Sequence, residues 1–278
     1  MKIFCKELNK SFDNDAELFK ALKESEMLIV DAKKAEVYKS VEKGLEVVTN
    51  QKQIEKAFNQ DVEKGIKFDD NYYYFVVNSA NYLDSHKDVH LDGNWNKSVK
   101  ESQGKCYLVF DHSLKRGDVI AMKKDIEMLT AKLPWSSLGK NYEGETYCLV
   151  YKVEKTKIVN KEAKEWLEAG HELEASVRMQ YVKIDMAFNS NESEYVKEKL
   201  IFDEVYPLIA NKEDFKDLKY FFPVREAKNI QESSLVLFGS NGATGQVNEN
   251  KEQAEQSLVQ PEAVKTTLQE QKKYIYHN

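Results

Sequence analysis

The run HELEASVRMQYVKIDMAF, residues 171–188, alternates apolar and polar residues with the period of a strand. Leu173, Ala175, Val177, Met179 and Tyr181 fall on one face, and Glu174, Ser176, Arg178 and Gln180 on the other. A helix would scatter both sets around its circumference, so the chain is committed to a long strand with one buried face and to a sheet that pairs it. After Tyr181 the apolar parity slips by one residue, continuing through Val182, Ile184, Met186 and Phe188. That slip predicts a β-bulge or bend near Tyr181.

The surroundings read as α+β. The segments YYYFVVNSAN, KCYLVFDHS, DVIAMKKDIEMLTAKL and ETYCLVYKVEKTKIV are rich in β-branched and aromatic residues between Gly or Asn turns, and predict strands. KIFCKEL, EMLIVDA and EVYKS predict shorter ones. A helix is expected from Asn14, with Leu18, Phe19 and Leu22 at helical spacing, and another over QKQIEKAFNQDVEKG. In NKEAKEWLEAG, Asn160 is an N-cap and Gly170 a stop, so a two- to three-turn helix leads into the alternating strand. Helical spacing over Tyr195, Leu200, Val205 and Leu208, broken at Pro207, predicts a helical insertion before the strand NIQESSLVLF. Beyond Gly245 the composition turns to Gln, Glu, Asn and Lys, which predicts a disordered tail. No internal repeat is seen.

With 41% apolar and 32% charged residues and a net charge of −6, the chain reads as a soluble protein with no broad attraction to nucleic acid. No apolar run reaches the roughly 18 residues of a spanning helix, and MKIFCKELNK lacks the apolar stretch of a secretory signal, so a cytoplasmic protein is expected. Cys5, Cys106 and Cys148 are too few and too scattered for a disulfide framework, and form no CxxC pair for zinc.

Taken alone, Ser176 is an ordinary polar-face strand serine; a nucleophile needs a base within hydrogen-bond reach and a group orienting that base. Five histidines are available. His277 lies in the tail and His171 at a helix-to-strand turn. His112 ends an apolar strand in which Cys106, Leu108, Phe110 and His112 share a face, as either a satisfied core histidine or a base. Asp111 beside it falls on the opposite face. His86 and His90, with Asp84, Asp88 and Asp92, have the ligand types of a metal site but sit in a loop with no third-ligand motif, and a solvated loop is the stronger reading. Glu232 shares a strand face with Ser234, Val236 and Phe238, and a carboxylate in an apolar row needs a partner.

The succession DSHKDVHLDGNW, VFDHS, ELEASVRMQYVKI and QESSLVLFGSN, within residues 70–245, resembles the prohead maturation proteases of tailed phages, relatives of the herpesvirus assemblins. In that family an Asp-rich loop ending in Gly and an aromatic residue precedes a strand that ends in a catalytic His. A strand bearing the nucleophilic Ser follows, then one of the type E-x-S-x-V-x-x-G-[AS]-N. The resemblance implies His112 as general base, Ser176 as nucleophile and Glu232 as the acidic member, where the herpesvirus relatives have a second histidine. It also implies an oxyanion hole from the backbone N–H groups of Gly239 and Ser240. Glu204, in FDEVYPLIAN, is a rival acidic member but lacks the Gly-Ser-Asn that follows the strand of Glu232. Arg178 stands where many members have glycine.

The fold implied is α+β: a mostly antiparallel β-barrel core surrounded by helices, with a helical insertion at about 190–220 between the serine and glutamate strands. Residues 1–69 would form an N-terminal α+β segment packed on the core, 70–245 the protease core, and 246–278 a tail open to self-cleavage. The function implied is that of a serine endopeptidase without metal or cofactor. It would cut scaffold and major capsid proteins inside the assembling prohead, in the host cytoplasm. Neither nucleic acid nor membrane would be a partner, and a homodimer is compatible. The same residues leave open a non-catalytic structural or scaffold component of the virion on that fold.

Overall fold

The computed structural model describes residues 2–40, 46–47, 69–171, 173–215 and 217–237. Three segments discussed above lie outside them: the helix expected over QKQIEKAFNQDVEKG, the oxyanion residues Gly239 and Ser240, and the tail with His277.

The chain begins with a small antiparallel hairpin, β1 (Ile3–Cys5) and β2 (Lys10–Phe12), followed by helix α1 (Asp15–Glu24). Asn14 caps α1 by accepting the Glu17 N–H at 2.9 Å, and Leu18, Phe19 and Leu22 are buried as their spacing requires. The next segment corrects an expectation. EMLIVDA is not a strand but the first part of helix α2 (Glu26–Ala35). Its apolar run is mostly exposed, and only Ile29 and Lys33, one helical turn apart, are buried.

Two sheets build the body. The smaller is antiparallel, with β5 (Tyr72–Ser79), β10 (Glu145–Glu154) and β9 (Ile126–Pro134) in the order β5-β10-β9. From residue 73 on, β5 is buried on both faces, which explains its unbroken apolar run. The larger sheet follows the order β3 (Tyr38–Ser40), β11 (Leu173–Ile184), β13 (Tyr220–Val236), β7 (Tyr107–Phe110), β8 (Val119–Ala121). Off that path, β4 (Glu46–Val47) pairs with β11, while β6 (Asp88–His90) and β12 (Ala187–Phe188) pair with β13. Most pairings are antiparallel, but β13 runs parallel to β6 and to β7. Among the described residues no barrel closes, because β8 and the β3/β4 strands stand at opposite ends of the larger sheet.

The two sheets share one apolar core. Tyr73, Phe75 and Val77 of β5 and Leu149, Tyr151 and Val153 of β10 belong to the same cluster as Leu173, Ala175, Val177, Met179 and Tyr181 of β11. Cys5, Phe12, Leu18 and Leu22 join it, so the N-terminal elements are part of this body. Helix α3 (Asn96–Ser102) leads to β7 and helix α4 (Lys161–Glu168) to β11; Asn160 caps α4 on the Ala163 N–H at 3.0 Å. Between β11 and β13 lies the expected helical insertion, centred on α5 (Val196–Val205), whose Phe202 and Val205 pack with Leu83, Val89 and Phe221.

Candidate active site

β11 keeps the phase that its alternation dictates. Its odd-numbered residues through Tyr181 enter the core, so Ser176 lies on the opposite face with Glu174 and Arg178 as its neighbours two positions away. Past Tyr181 the pairing with β13 slips on both sides of Lys183, Val182 and Lys183 are exposed, and Ile184 returns to the core. That is the bend expected from the parity change.

β13 supplies the next two residues. Ser234 stands directly opposite Ser176 in the antiparallel register, so their side chains share a face. Moving back along β13, the register passes from Val177 opposite Ser233 to Met179 opposite Asn229, which places two extra residues on β13. Gln231 sits in this bulge with φ +68°. Glu232 emerges from it fully buried, on the same side as Ser234.

The histidine arrives by a different route. Strand β7 runs parallel to β13, pairing Tyr107 with Glu232 and Phe110 with Leu235, and ends there. Asp111 and His112 both adopt positive φ, +48° and +54°, so the chain turns sharply at the strand end. Three bonds fix the turn: Asp111 N–H to the Leu235 carbonyl at 3.0 Å, Ser113 N–H to the Phe110 carbonyl at 2.8 Å, and His112 N–H to Ser234 Oγ at 2.8 Å. The expectation that His112 continues the face of Leu108 and Phe110 is thereby corrected. A left-handed turn, not strand parity, aims the ring.

The ring closes a triad. Nε2 lies 2.6 Å from Ser176 Oγ, and Nδ1 lies 2.9 Å and 3.2 Å from the two carboxylate oxygens of Glu232. An ionised carboxylate only accepts, so Nδ1 carries the hydrogen and Nε2 offers its lone pair to the serine hydroxyl. The group is enclosed: Ser176 and Glu232 have no exposed surface, and the His112 side chain has 8%. A buried carboxylate is costly unless partnered, and His112 is its partner.

The other nominated residues are placed elsewhere. Glu204 is on the exposed side of α5, where its carboxylate meets the Arg225 guanidinium at 3.2 Å and 3.3 Å. His86 has its Nδ1 3.2 Å from Lys6 Nζ, whereas His90 is buried with its ring stacked on Trp95 at 5.7 Å. Asp84 accepts the His86 and Asp88 backbone N–H groups, both at 2.8 Å, and Asp88 bonds Lys33 Nζ at 2.6 Å and the Tyr181 hydroxyl at 2.9 Å. No group of metal-ligating side chains gathers among the described residues. Cys106 is no rival nucleophile, because burial pushes its thiol up to about 11 and so keeps it protonated. Arg178 is half-buried two residues from Ser176, and its Nε is shielded from solvent without a hydrogen-bond partner among the described residues.

Two features of the site exceed the sequence reading. Ser234 holds the histidine turn by accepting its N–H while donating to the Val109 carbonyl at 3.2 Å. Its sequence signals are the strand face it shares with Glu232 and its place as the serine of the E-x-S-x-V pattern, neither of which shows that it holds the histidine turn. The bulge at Gln231 carries no signal of its own, since glutamine is not a residue that marks positive φ.

Compared with known proteins, the chain matches no protein-family model, no curated protein and no solved structure.

Proposed function

We propose that the protein is a serine endopeptidase acting through Ser176, His112 and Glu232. The observation that carries this reading is the convergence on one imidazole of a serine hydroxyl at 2.6 Å and a carboxylate at 2.9 Å, from three strands far apart in sequence. Ser176 Oγ attacks a peptide carbonyl carbon as its proton passes to His112 Nε2. The tetrahedral adduct collapses to an acyl-enzyme when that proton is given to the departing amine. Water then repeats the sequence, with Nε2 accepting its proton and returning it to Ser176. Glu232 holds the ring in the tautomer that leaves Nε2 basic, and supports the imidazolium once it forms.

The resemblance to prohead proteases supplies the substrate class: scaffold and major capsid proteins within an assembling phage head, and the chain's own tail. The alternative, a virion component without activity, is favoured by one observation, the complete burial of Ser176. Strands β3 and β4 pair with β11 at Val177–Met179 and at Leu173–Glu174, on either side of the serine. The deciding experiment is to express wild type and Ser176→Ala, each with a scaffold protein, and compare intact masses. Fragments of scaffold or tail that appear only with wild type support the protease; identical products from both remove Ser176 from any mechanism.

A further inference from the structure

Behind the triad, on the core side of β13, lies a second set of buried polar groups that no catalytic step uses. Asn229 is at its centre, 2% exposed. Its Oδ1 accepts from the Tyr151 hydroxyl at 3.1 Å; its Nδ2 donates to the backbone carbonyl of Glu232 at 3.2 Å and to Ser233 Oγ at 3.1 Å. Its own backbone N–H donates to Ser98 Oγ at 2.9 Å. An amide side chain has two N–H groups and one carbonyl, so every polar atom of the Asn229 side chain is engaged. Tyr151, Ser98 and Ser233 are themselves buried, and this completeness makes the cluster rigid.

What the cluster grips is the bulge. Between Asn229 and Ser233 the register with β11 is interrupted, and Gln231 is in the left-handed region. On that side the peptide carrying Glu232 is therefore held by the Asn229 side chain rather than by a strand ladder. The alternative conformation is specific. A shift of one residue would exchange the faces of Glu232 and Ser233, turning a carboxylate toward Tyr151 and taking it away from His112.

We propose that Asn229 is the positioning residue of the acidic member: by clamping the bulge from the core side it sets the direction in which Glu232 meets His112 Nδ1. The geometric part stands by itself, and its catalytic consequence rests on the protease reading. Removing the clamp weakens catalysis through Glu232 alone, so its effect vanishes when Glu232 has already been disabled.

The test is a double-mutant cycle with a spectroscopic readout. In full-length protein labelled with ¹⁵N-histidine, the Nδ1 proton of His112 bonded to a carboxylate gives a low-field resonance that Glu232→Gln abolishes. Asn229→Ala is expected to move or abolish it, and Tyr151→Phe to move it in the same direction. Asn211→Ala is expected to leave it in place, because that equally buried asparagine instead holds the Leu83 N–H and carbonyl, both at 2.9 Å. In peptide cleavage, Asn229→Ala is expected to lower kcat/KM roughly ten- to a hundredfold, the scale of a displaced catalytic group. The double variant with Glu232→Gln should then be no slower than Glu232→Gln alone. A resonance unchanged in Asn229→Ala, or losses that multiply in the double variant, overturns the proposal. Should Asn229→Ala fail to fold, Tyr151→Phe decides by the same two readouts. Should wild type cut no peptide beyond the Ser176→Ala blank, the protease reading falls, while the resonance still decides whether Asn229 directs Glu232.

Discussion

His90 and His112 both stand at the ends of strands that pair with β13 in parallel and both have shielded rings, His90 as a buried residue and His112 as a half-buried residue whose side chain is 8% exposed. Their difference lies in what each nitrogen meets. The Nδ1 of His90 faces the Asn94 amide at 2.6 Å, its Nε2 has no hydrogen-bond partner among the described residues, and its ring packs on Trp95 and edge-on to Tyr181. With no charge to favour protonation, burial lowers its pKa to about 3 and keeps it neutral. Asp88, two residues away, could have supplied that charge, but its carboxylate is turned to Lys33 and Tyr181. Around His112 one nitrogen has a carboxylate and the other a hydroxyl. A shielded ring is common to both sites; the pair of partners is found at only one of them, and that is the arrangement a base needs.

The sharpest way to break this contrast is at the triad. Ser176→Ala is expected to lower kcat/KM by at least about 10⁴-fold with little loss of stability, and His112→Ala by as much but with a clear loss of stability, because it leaves the buried Glu232 carboxylate without its imidazole, measured by peptide cleavage beside urea unfolding. Equal loss from His90→Phe would erase the distinction. Glu232→Gln comes next, at roughly 10³-fold, because an amide can donate to Nδ1 and stabilise the unproductive tautomer. Ser234→Ala is a gentler probe, since it leaves all three side chains but frees the His112 N–H. It should cost about tenfold in kcat/KM and about 1–2 kcal/mol of stability, the usual penalty for a buried donor left unmet.

His90 itself should register in stability rather than in rate. Its folded pKa lies below the ordinary 6.5, so as pH falls below 6.5 the unfolded chain takes up a proton that the native state refuses until about 3. The stability present above 6.5 is thus lost progressively on acidification, by up to about 1.4 kcal/mol per pH unit from this group. Urea midpoints at pH 7.5 and 5 should therefore differ less in His90→Phe than in wild type. An unchanged difference would mean that His90 is protonated in the fold.

How much of this was readable in the chain depends on the range over which each feature is decided. The faces of β11, the bend after Tyr181, and the caps of α1 and α4 at Asn14 and Asn160 follow from neighbours within a few residues, and the sequence displays them. EMLIVDA has the composition of a strand, yet it is helical in α2, where Ile29 and Lys33 are drawn in one turn apart, a tertiary preference that local propensity does not contain. The left-handed turn at Asp111–His112 and the bulge at Gln231 were unreadable for a related reason. Both hold conformations that their residues do not favour alone, kept by bonds to Ser234 and Asn229 more than a hundred residues away or across a strand interruption. The open sheets in place of a barrel are likewise a matter of which edges meet, which alternation does not encode.

The parallel pairing of β7 with β13 also sets an order in time. His112 is made 64 residues before Ser176 and 120 before Glu232, and its turn is anchored on Ser234. Until β13 has been synthesised and has slotted between β7 and β11, the histidine has neither its aim nor its carboxylate, however long the serine strand has existed. Pairings of such sequence separation close late in folding. A growing chain therefore keeps the three groups apart until β13 is made, and a truncation before β13 leaves His112 with neither its aim nor its carboxylate.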